Sequence, residues 1–228
     1  MVGDTSQGKA MSDARQQILD RIRQATAGGP LSARGEVARD YMHRGHLDRP
    51  ACFQLMVERL REYEAEVVEC DPADLIACIG DSLRKSGKRI FVVPPGLPPE
   101  WFIHGFSWKI DNNLSHSAIE DSDGVVTTCF AAVADSGTIV LHHSPSEGRR
   151  IISLLPDWHL CILNTSQIVE TLPEYFKRCE QPPKIATYIS GPSATADIEM
   201  TRIKGVHGPR SLNVILVHDE PAAAVHTD

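Results

Sequence analysis

The sequence has no long apolar run and no excess of positive charge. Its longest clean apolar runs, such as residues 90–93 and 214–217, are far shorter than the roughly 20 residues that span a bilayer. The polar N-terminus lacks the apolar segment of a secretory signal. A formal net charge of −7 leaves no basic stripe for nucleic-acid phosphates. The sequence therefore predicts a cytoplasmic protein that binds neither a membrane nor nucleic acid.

Closely spaced cysteines are also missing, and no C-x-x-C motif occurs. The six cysteines are widely separated, at Cys52, Cys70, Cys78, Cys129, Cys161 and Cys179. This spacing predicts reduced thiols and disfavours a disulfide framework, a structural zinc site or an iron–sulfur cluster. His142 and His143 are adjacent, so they would face opposite sides of a strand and could not easily bind one metal together with His207. We therefore expect no metal site.

The composition is that of an ordinary globular protein. Of the 228 residues, 42% are apolar and 23% are charged, which is enough for a sizeable core. Residues 12–27 have a helical pattern that ends at Gly28-Gly29-Pro30, and a polar stretch with little periodicity follows. We interpret residues 1–50 as an N-terminal helix and a linker arm that could wrap a neighbouring subunit. Residues 221–228 are expected to form a flexible tail.

Helical and strand patterns alternate from residue 52 onward. Helices are predicted over 52–65, 71–87 with Asp71 as N-cap and Gly87 as terminator, 166–179, and 195–205. Apolar, β-branched runs predict strands over 88–93, 124–134, 138–143, 159–164, 184–190 and 211–217. Residues 94–117 fit neither pattern. The whole predicts an α/β domain over 51–220, a three-layer open and mainly parallel sheet whose ligand site lies beyond the carboxyl ends of its strands.

Two polar loops follow predicted strands in the middle of the chain. Asp135, Ser136, Gly137 and Thr138 offer hydroxyl and backbone N–H donors to an oxyanion, although the same residue types also make an ordinary turn. In the next loop a carboxylate or phosphate could be held by Ser144, Ser146, Gly148, Arg149 and Arg150, with arginine supplying a planar guanidinium. Alternatively, this is a polar loop in which both arginines are solvated. Both loops are candidate ligand-binding segments.

A third polar segment precedes the last predicted strand. Most of its members have a structural explanation: Ser193 and Thr195 as helix caps, Asp197 and Glu199 in the first helical turn, and Gly208 in the turn that follows. His207 has none, because it lies between two glycines at a turn facing the sheet. An accessible imidazole there suits acid–base chemistry or hydrogen bonding.

Four ordered motifs resemble one known family. The motifs ADSGTIVL, GRRIISLLPDWH, SGPSATADIE and GVHGPRSLNVILV look like the LUD domain of the bacterial lactate utilisation protein C family, over about residues 52–218. The resemblance implies a fold like that of ribose-5-phosphate isomerase, glucosamine-6-phosphate deaminase and the CoA-transferases. It also implies a subunit of a system that oxidises L-lactate to pyruvate. The iron–sulfur clusters would lie in partner proteins, and this chain would bind no cofactor directly.

The resemblance also places the candidate residues in one site. Residues 135–138 match the family's acidic-Thr/Ser-Gly-Thr loop, and residues 193–199 and 205–209 match its Ser-x-Thr-Ala-Asp-Ile-Glu and Gly-x-His-Gly-Pro segments. Many members have Glu where Asp135 stands, and some have Arg where Ala194 stands. The resemblance implies that the site binds a small carboxylate or a partner protein. There His207, positioned by an acid of the 193–199 segment, would move a proton.

Two other functions are left open by the residues. A self-standing isomerase or transferase acting on a phosphorylated sugar or CoA ester would need a basic pair near residues 136–138. A purely structural scaffold would bind the iron–sulfur partners without any small molecule.

Overall fold

The protein divides into two compact units, Met1–Tyr41 and Met42–Asp228. The computed structural model describes residues 6–27, 40–181, 183–195, 203–204 and 208–219. The first unit contains helix α1, Ser6–Thr26, which confirms the helix predicted over 12–27 and extends it by six residues toward the N-terminus. Ile18 and Ile22 are exposed on it. In the described part of the chain, every helix is too short or too polar to cross a membrane.

The second unit alternates helices and strands. Its helices are α2 (Arg49–Glu62), α3 (Leu75–Ser86), α4 (His116–Glu120) and α5 (Leu172–Arg178). Its strands are β1 (Glu66–Cys70), β2 (Ile90–Val93), β3 (Ser107–Ile110), β4 (Gly124–Thr128), β5 (Ala131–Val133), β6 (Thr138–Leu141), β7 (Trp158–Asn164), β8 (Ile168–Val169), β9 (Thr187–Ile189), β10 (Ala194–Thr195), β11 (Ile203–Lys204) and β12 (Ser211–Val217).

Six parallel strands form the central sheet, in the order β1-β12-β7-β4-β2-β3. β7 and β12 are neighbours inside this sheet and pair along their whole lengths. Both are buried nearly throughout, as expected for parallel strands covered on both faces. The predicted open, mainly parallel α/β sheet is confirmed.

A second sheet covers one face of the central sheet. Its order is β8-β5-β6-β9, with β6 antiparallel to both neighbours. A shared core joins Met56 of α2, Ile139 of this second sheet and Val214 of the central sheet. On the opposite face α3 packs through residues such as Leu83. The domain therefore has three layers, with the central sheet in the middle.

The two ends of α3 agree only in part with those predicted from the sequence. Gly87 ends the helix in the left-handed conformation, with φ of 70°, as predicted. Asp71 does not cap the α-helix, because Pro72–Asp74 first form a separate 3₁₀ turn and the Asp71 side chain makes no capping hydrogen bond. β1 and β3 had no prediction, since charged or aromatic residues interrupt their apolar patterns.

The helix predicted over residues 166–179 begins later than expected. Ile168 pairs with Ala132 as the start of β8, and the helix begins only at Leu172. The reason is a capping box, in which Glu174 accepts from the backbone N–H of Thr171, with a proline in the first helical turn. Of the side chains predicted to face inward, Tyr175 is buried, whereas Leu172 and Phe176 are exposed.

The helix predicted over residues 195–205 is wrong at Thr195 and at residues 203–204, while residues 196–202 and 205 lie outside the described part of the chain. The described residues at its two ends form an antiparallel ladder, in which Ala194 of β10 pairs with Lys204 of β11. Extended backbone at both ends is incompatible with a continuous helix. The run predicted as one strand over 124–134 is likewise divided, because β4 belongs to the central sheet and β5 to the second sheet.

Candidate functional site

A cavity of about 220 Å³ opens between β9 and the central sheet, and we call it the β9 cavity. Its lining comprises Arg150 and Ser153, His159 and Leu212, residues 187–194, and Gly208 and Pro209. His159 and Leu212 are the second residues of β7 and β12 and lie opposite each other in the sheet. The cavity therefore lies near the amino ends of these strands, and not beyond their carboxyl ends as predicted.

Two predicted ligand-binding residues line this cavity. Ser193 and Gly208 both contribute to it, and the Ser193 N–H donates to the carbonyl of Pro209 at 2.8 Å. This hydrogen bond joins the segment after β9 to the segment before β12, as the sequence motifs implied. The backbone of Thr195 lies in β10, and its side chain lies outside the described part. The predicted catalytic residues Asp197, Glu199 and His207 also lie outside the described residues, so their roles stay predictions.

The loop at residues 135–138 reaches the cavity through hydroxyl groups. Thr138 Oγ1 lies 2.8 Å from Ser136 Oγ and 2.8 Å from Ser190 Oγ. Ser190 lines the cavity, whereas Ser136 and Thr138 do not. The loop is thus a supporting layer behind one wall of the cavity.

Gly137 and Asp135 in this loop serve a packing role against α2. Gly137 has φ of 59°, and a Cβ placed on it would lie 2.7 Å from Cβ of Arg59. Arg59 Nε donates to the backbone carbonyl of Asp135 at 3.2 Å. The close approach of α2, and not a ligand, explains the glycine.

Arg149 is bound within the protein and does not line the cavity. It donates from Nε to Asp111 Oδ2 at 2.8 Å and from Nη2 to Asp111 Oδ1 at 2.5 Å, a bidentate ion pair. The Arg149 hydrogen bonds hold the pKa of Asp111 below its usual value. The Asp111 carboxylate is almost fully buried, and Arg149 also donates to the carbonyl of Leu114. Every one of these contacts is structural.

The neighbouring Arg150 is the arginine that lines the cavity. Arg150 begins a 3₁₀ turn, and its Nη1 lies 3.5 Å from Ser153 Oγ. It forms no ion pair with the residues that the structure describes. Its guanidinium is therefore available to an anionic ligand. The sequence offers two adjacent arginines, and only the tertiary structure distinguishes them.

His159 is a site residue that the sequence analysis missed. It is 1% exposed, and its Nε2 lies 2.8 Å from Oγ1 of Thr127, which is fully buried in β4. Burial lowers the pKa of His159 to about 4, so the imidazole is neutral at pH 7. The one sequence signal for it is that a histidine begins the apolar run HLCILN. In a strand buried on both faces, such a polar residue must point into the protein interior, which is unusual.

The adjacent histidines 142 and 143 contact different residues, but they do not lie in a strand as predicted, because β6 ends at Leu141. Nδ1 of His143 lies 2.8 Å from the carbonyl oxygen of Gly148, and its Nε2 lies 2.8 Å from Oγ1 of Thr187, which lines the cavity. His142 stacks on Phe130 and lies 2.8 Å from the hydroxyl of Tyr175. Within the described ranges, no three His, Cys, Asp or Glu side chains are arranged to hold a metal ion.

Known proteins are similar to this chain in sequence and in fold. A family profile described as the LUD domain matches residues 53–217. A "Lactate utilization protein C" of Deinococcus radiodurans is 35% identical over 210 residues, which cover 90% of this chain and 96% of the relative. A protein of the same name from an Exiguobacterium species is 32% identical, over 73% of this chain and 76% of its own.

A solved structure matches as well. It is the crystal structure of a DUF162 family protein from Deinococcus radiodurans, with a TM-score of 0.66 and 32% sequence identity. The match covers 75% of this chain and 99% of that one. Because the family profile spans most of the chain and a 35% identical relative is matched along nearly its whole length, the chain belongs to the LUD domain family.

Proposed function

We propose that this protein is a component of a system that oxidises L-lactate to pyruvate, and that partner proteins hold the iron–sulfur clusters of that system. The support is the shared name "Lactate utilization protein C" of relatives matched over most of their length. In this proposal the chain acts in the cytoplasm and binds no cofactor itself.

We further propose that the β9 cavity binds a small carboxylate. The observation that carries this proposal is Arg150, a cavity guanidinium without an ion pair among the described residues. A guanidinium matches a carboxylate in shape and charge. At about 220 Å³ the cavity is smaller than the roughly 300–1,000 Å³ of sites for drug-sized ligands, which favours a ligand of a few heavy atoms.

The hydroxyl groups around Arg150 suit the same ligand. Ser190 and Ser193 line the cavity, and Ser190 is held by Thr138 of the 135–138 loop. The motif residues are therefore assigned supporting roles around the ligand. The proposal keeps the predicted proton transfer by His207, with Asp197 or Glu199 positioning it, and these three residues lie outside the described part of the chain.

The described residues give no comparable support to a sugar-phosphate or CoA-ester enzyme. Such an enzyme would need a basic pair at the 136–138 loop. Arg149 is bound to Asp111 instead, and Arg59 pairs with Glu62 while it donates to the backbone of Asp135.

A thermal-shift experiment on the full chain tests the cavity proposal. L-lactate or pyruvate at a concentration far above its Kd should raise the Tm, because a ligand that binds only the folded state stabilises it. Arg150→Ala should abolish that shift, whereas ribose 5-phosphate and acetyl-CoA should give none in either protein.

Arg149→Ala is the matched control for this experiment. It leaves the buried Asp111 carboxylate without its charged partner, so the free protein should lose about 3 kcal/mol of stability, yet the ligand-induced rise in Tm should persist. A shift with the phosphorylated compounds alone, or an unchanged shift in Arg150→Ala, would contradict the proposed carboxylate site.

A further inference from the structure

His159 and Thr187 line the β9 cavity from two different sheets. His159 belongs to β7 of the central sheet, and Thr187 belongs to β9 of the second sheet. Each side chain is buried, and each makes one hydrogen bond to a residue behind the cavity wall. These two hydrogen bonds determine which nitrogen of His159 carries the ring hydrogen and in which direction the Thr187 hydroxyl donates.

The hydrogen bond from Thr127 fixes the tautomer of His159. The Thr127 hydroxyl is fully buried, and its hydrogen bond to His159 Nε2 is the one that it makes in the described part of the chain. Since a buried donor without an acceptor costs about 1–3 kcal/mol, Thr127 donates its hydrogen to Nε2. The neutral ring then carries its own hydrogen on Nδ1.

The Nδ1–H group of His159 opens on the cavity. This atom makes no hydrogen bond with the described residues. Among those same residues, no fully buried side-chain nitrogen or oxygen lacks a hydrogen-bond partner, so Nδ1 is not sealed, and the ring that carries it lines the cavity. His159 therefore presents a neutral hydrogen-bond donor to whatever occupies the cavity.

Thr187 presents the opposite group. The carbonyl of Gly148 can only accept, so the nearby Nδ1 of His143 carries a hydrogen, and in that tautomer Nε2 is an acceptor. The Thr187 hydroxyl therefore donates its hydrogen to His143 Nε2, and its oxygen keeps acceptor capacity in a residue that lines the cavity. His143 is held there with φ of 60°, a backbone conformation that is rare outside glycine.

We infer that His159 and Thr187 form a donor–acceptor pair that selects a small 2-hydroxy acid over the corresponding 2-oxo acid. A hydroxyl group can accept from His159 and donate to Thr187 at once, whereas a keto oxygen can only accept. A 2-oxo acid leaves the Thr187 oxygen unmatched, and an acid without the C2 oxygen leaves both groups unmatched. This inference rests on the carboxylate site proposed above, where Arg150 binds the acid group.

Thr127 and His143 are positioning residues in this arrangement. Neither lines the cavity, and each acts by fixing the hydrogen of the residue in front of it. Their contribution is therefore to ligand preference. Recognition of the carboxylate itself does not depend on them.

Isothermal titration of the full chain with L-lactate, pyruvate and propionate tests the inference. The wild type should bind L-lactate about tenfold more tightly than pyruvate, as expected when an unmatched buried polar group penalises the analogue. Propionate, which leaves both groups unmatched, should bind more weakly still. Thr187→Val should remove the advantage of L-lactate over pyruvate while pyruvate still binds. Thr187→Ser, which keeps the hydroxyl, should restore that advantage.

Nitrogen-15 NMR of the histidine rings supplies a readout that does not depend on ligand. The neutral Nδ1–H tautomer of His159 should be visible, assigned by its loss in His159→Gln, and Thr127→Val should change it while Thr127→Ser should not. A neutral Nε2–H tautomer in the wild type would overturn the inference.

The binding outcomes separate the two proposals. Equal affinity for the three acids overturns the donor–acceptor inference and leaves the carboxylate site standing. Failure of all three acids to bind overturns the carboxylate site, and the inference falls with it.

Discussion

Neighbouring side chains in this protein have unlike tasks. Arg149 and Arg150 are adjacent in sequence, yet one neutralises a buried carboxylate and the other faces a cavity. The same holds for His142 and His143, of which only the second bonds to a cavity residue. Arg150 begins a 3₁₀ turn, and His143 has a left-handed backbone with φ of 60°. Motif matching alone does not contain such local geometry and cannot assign the roles of adjacent side chains.

Buried His159 should make stability depend on pH. Its folded-state pKa of about 4 is lower than the ordinary value near 6.5, so the unfolded chain takes up the proton first. The free energy of unfolding therefore keeps its full value above about pH 6.5 and decreases as the pH falls toward 4. At pH 5 the decrease due to His159 should be about 2 kcal/mol. Urea denaturation at pH 7, 6 and 5 measures this loss.

The matched variant for this measurement is His159→Gln, which cannot take up the proton. It should lose about 2 kcal/mol less than the wild type between pH 7 and pH 5. The pKa of His142 is also lowered by burial, but that residue is present in both proteins and cancels in the comparison. Identical pH dependence in the two proteins would contradict the assignment of a buried neutral imidazole.

The turn between β5 and β6 is shaped by its contact with α2. Gly137 combines a left-handed backbone with a near contact to Arg59, whereas Gly87 has a similar φ of 70° with open space around it. A side chain at Gly87 would meet only the strain of the left-handed backbone, whereas one at Gly137 would also collide with Arg59.

Alanine at each glycine should reveal that difference. Gly87→Ala should cost about 1 kcal/mol for the left-handed conformation alone. Gly137→Ala should cost about 2–3 kcal/mol, because the added methyl must also displace α2. Urea denaturation measures both. Equal losses would show that the loop at residues 135–138 yields to α2 and that its glycine is not required for packing.

Strands in this protein were easier to predict than the short elements that connect them. β7 and β12 are buried on both faces, so their sequences are continuous apolar runs that local pattern alone reveals. β8 and β10 have two residues each, and they exist because a partner strand pairs with them. No local pattern of two residues could indicate such pairing.

The position of the cavity depends on the arrangement of the two sheets. A parallel sheet by itself predicts a site beyond the carboxyl ends of its strands. Here β9 of the second sheet lies over the amino ends of β7 and β12, and the cavity forms between them. The order of strands in the second sheet requires pairings between distant segments, such as β6 with β9, which sequence periodicity does not contain. Ser193, Gly208 and Arg150 could be predicted as candidates from their sequence segments, although the sequence did not distinguish Arg150 from Arg149. His159 and Thr187 could not be predicted.

The family relationship covers most of the chain. The profile match over residues 53–217 and the relatives named for lactate utilisation concern nearly the entire second unit. The roles assigned to residues 1–50 as an arm and to 221–228 as a tail stay predictions.

Growth of the source bacterium on L-lactate is the most direct test of the proposed function. Deletion of the gene for this protein should abolish growth on L-lactate as sole carbon source while growth on pyruvate continues. Re-expression of the wild type or of Arg149→Ala should restore growth, whereas Arg150→Ala at the same protein level should not. Unimpaired growth of the deletion strain on L-lactate, with no second gene of this family present, would contradict a role in L-lactate oxidation.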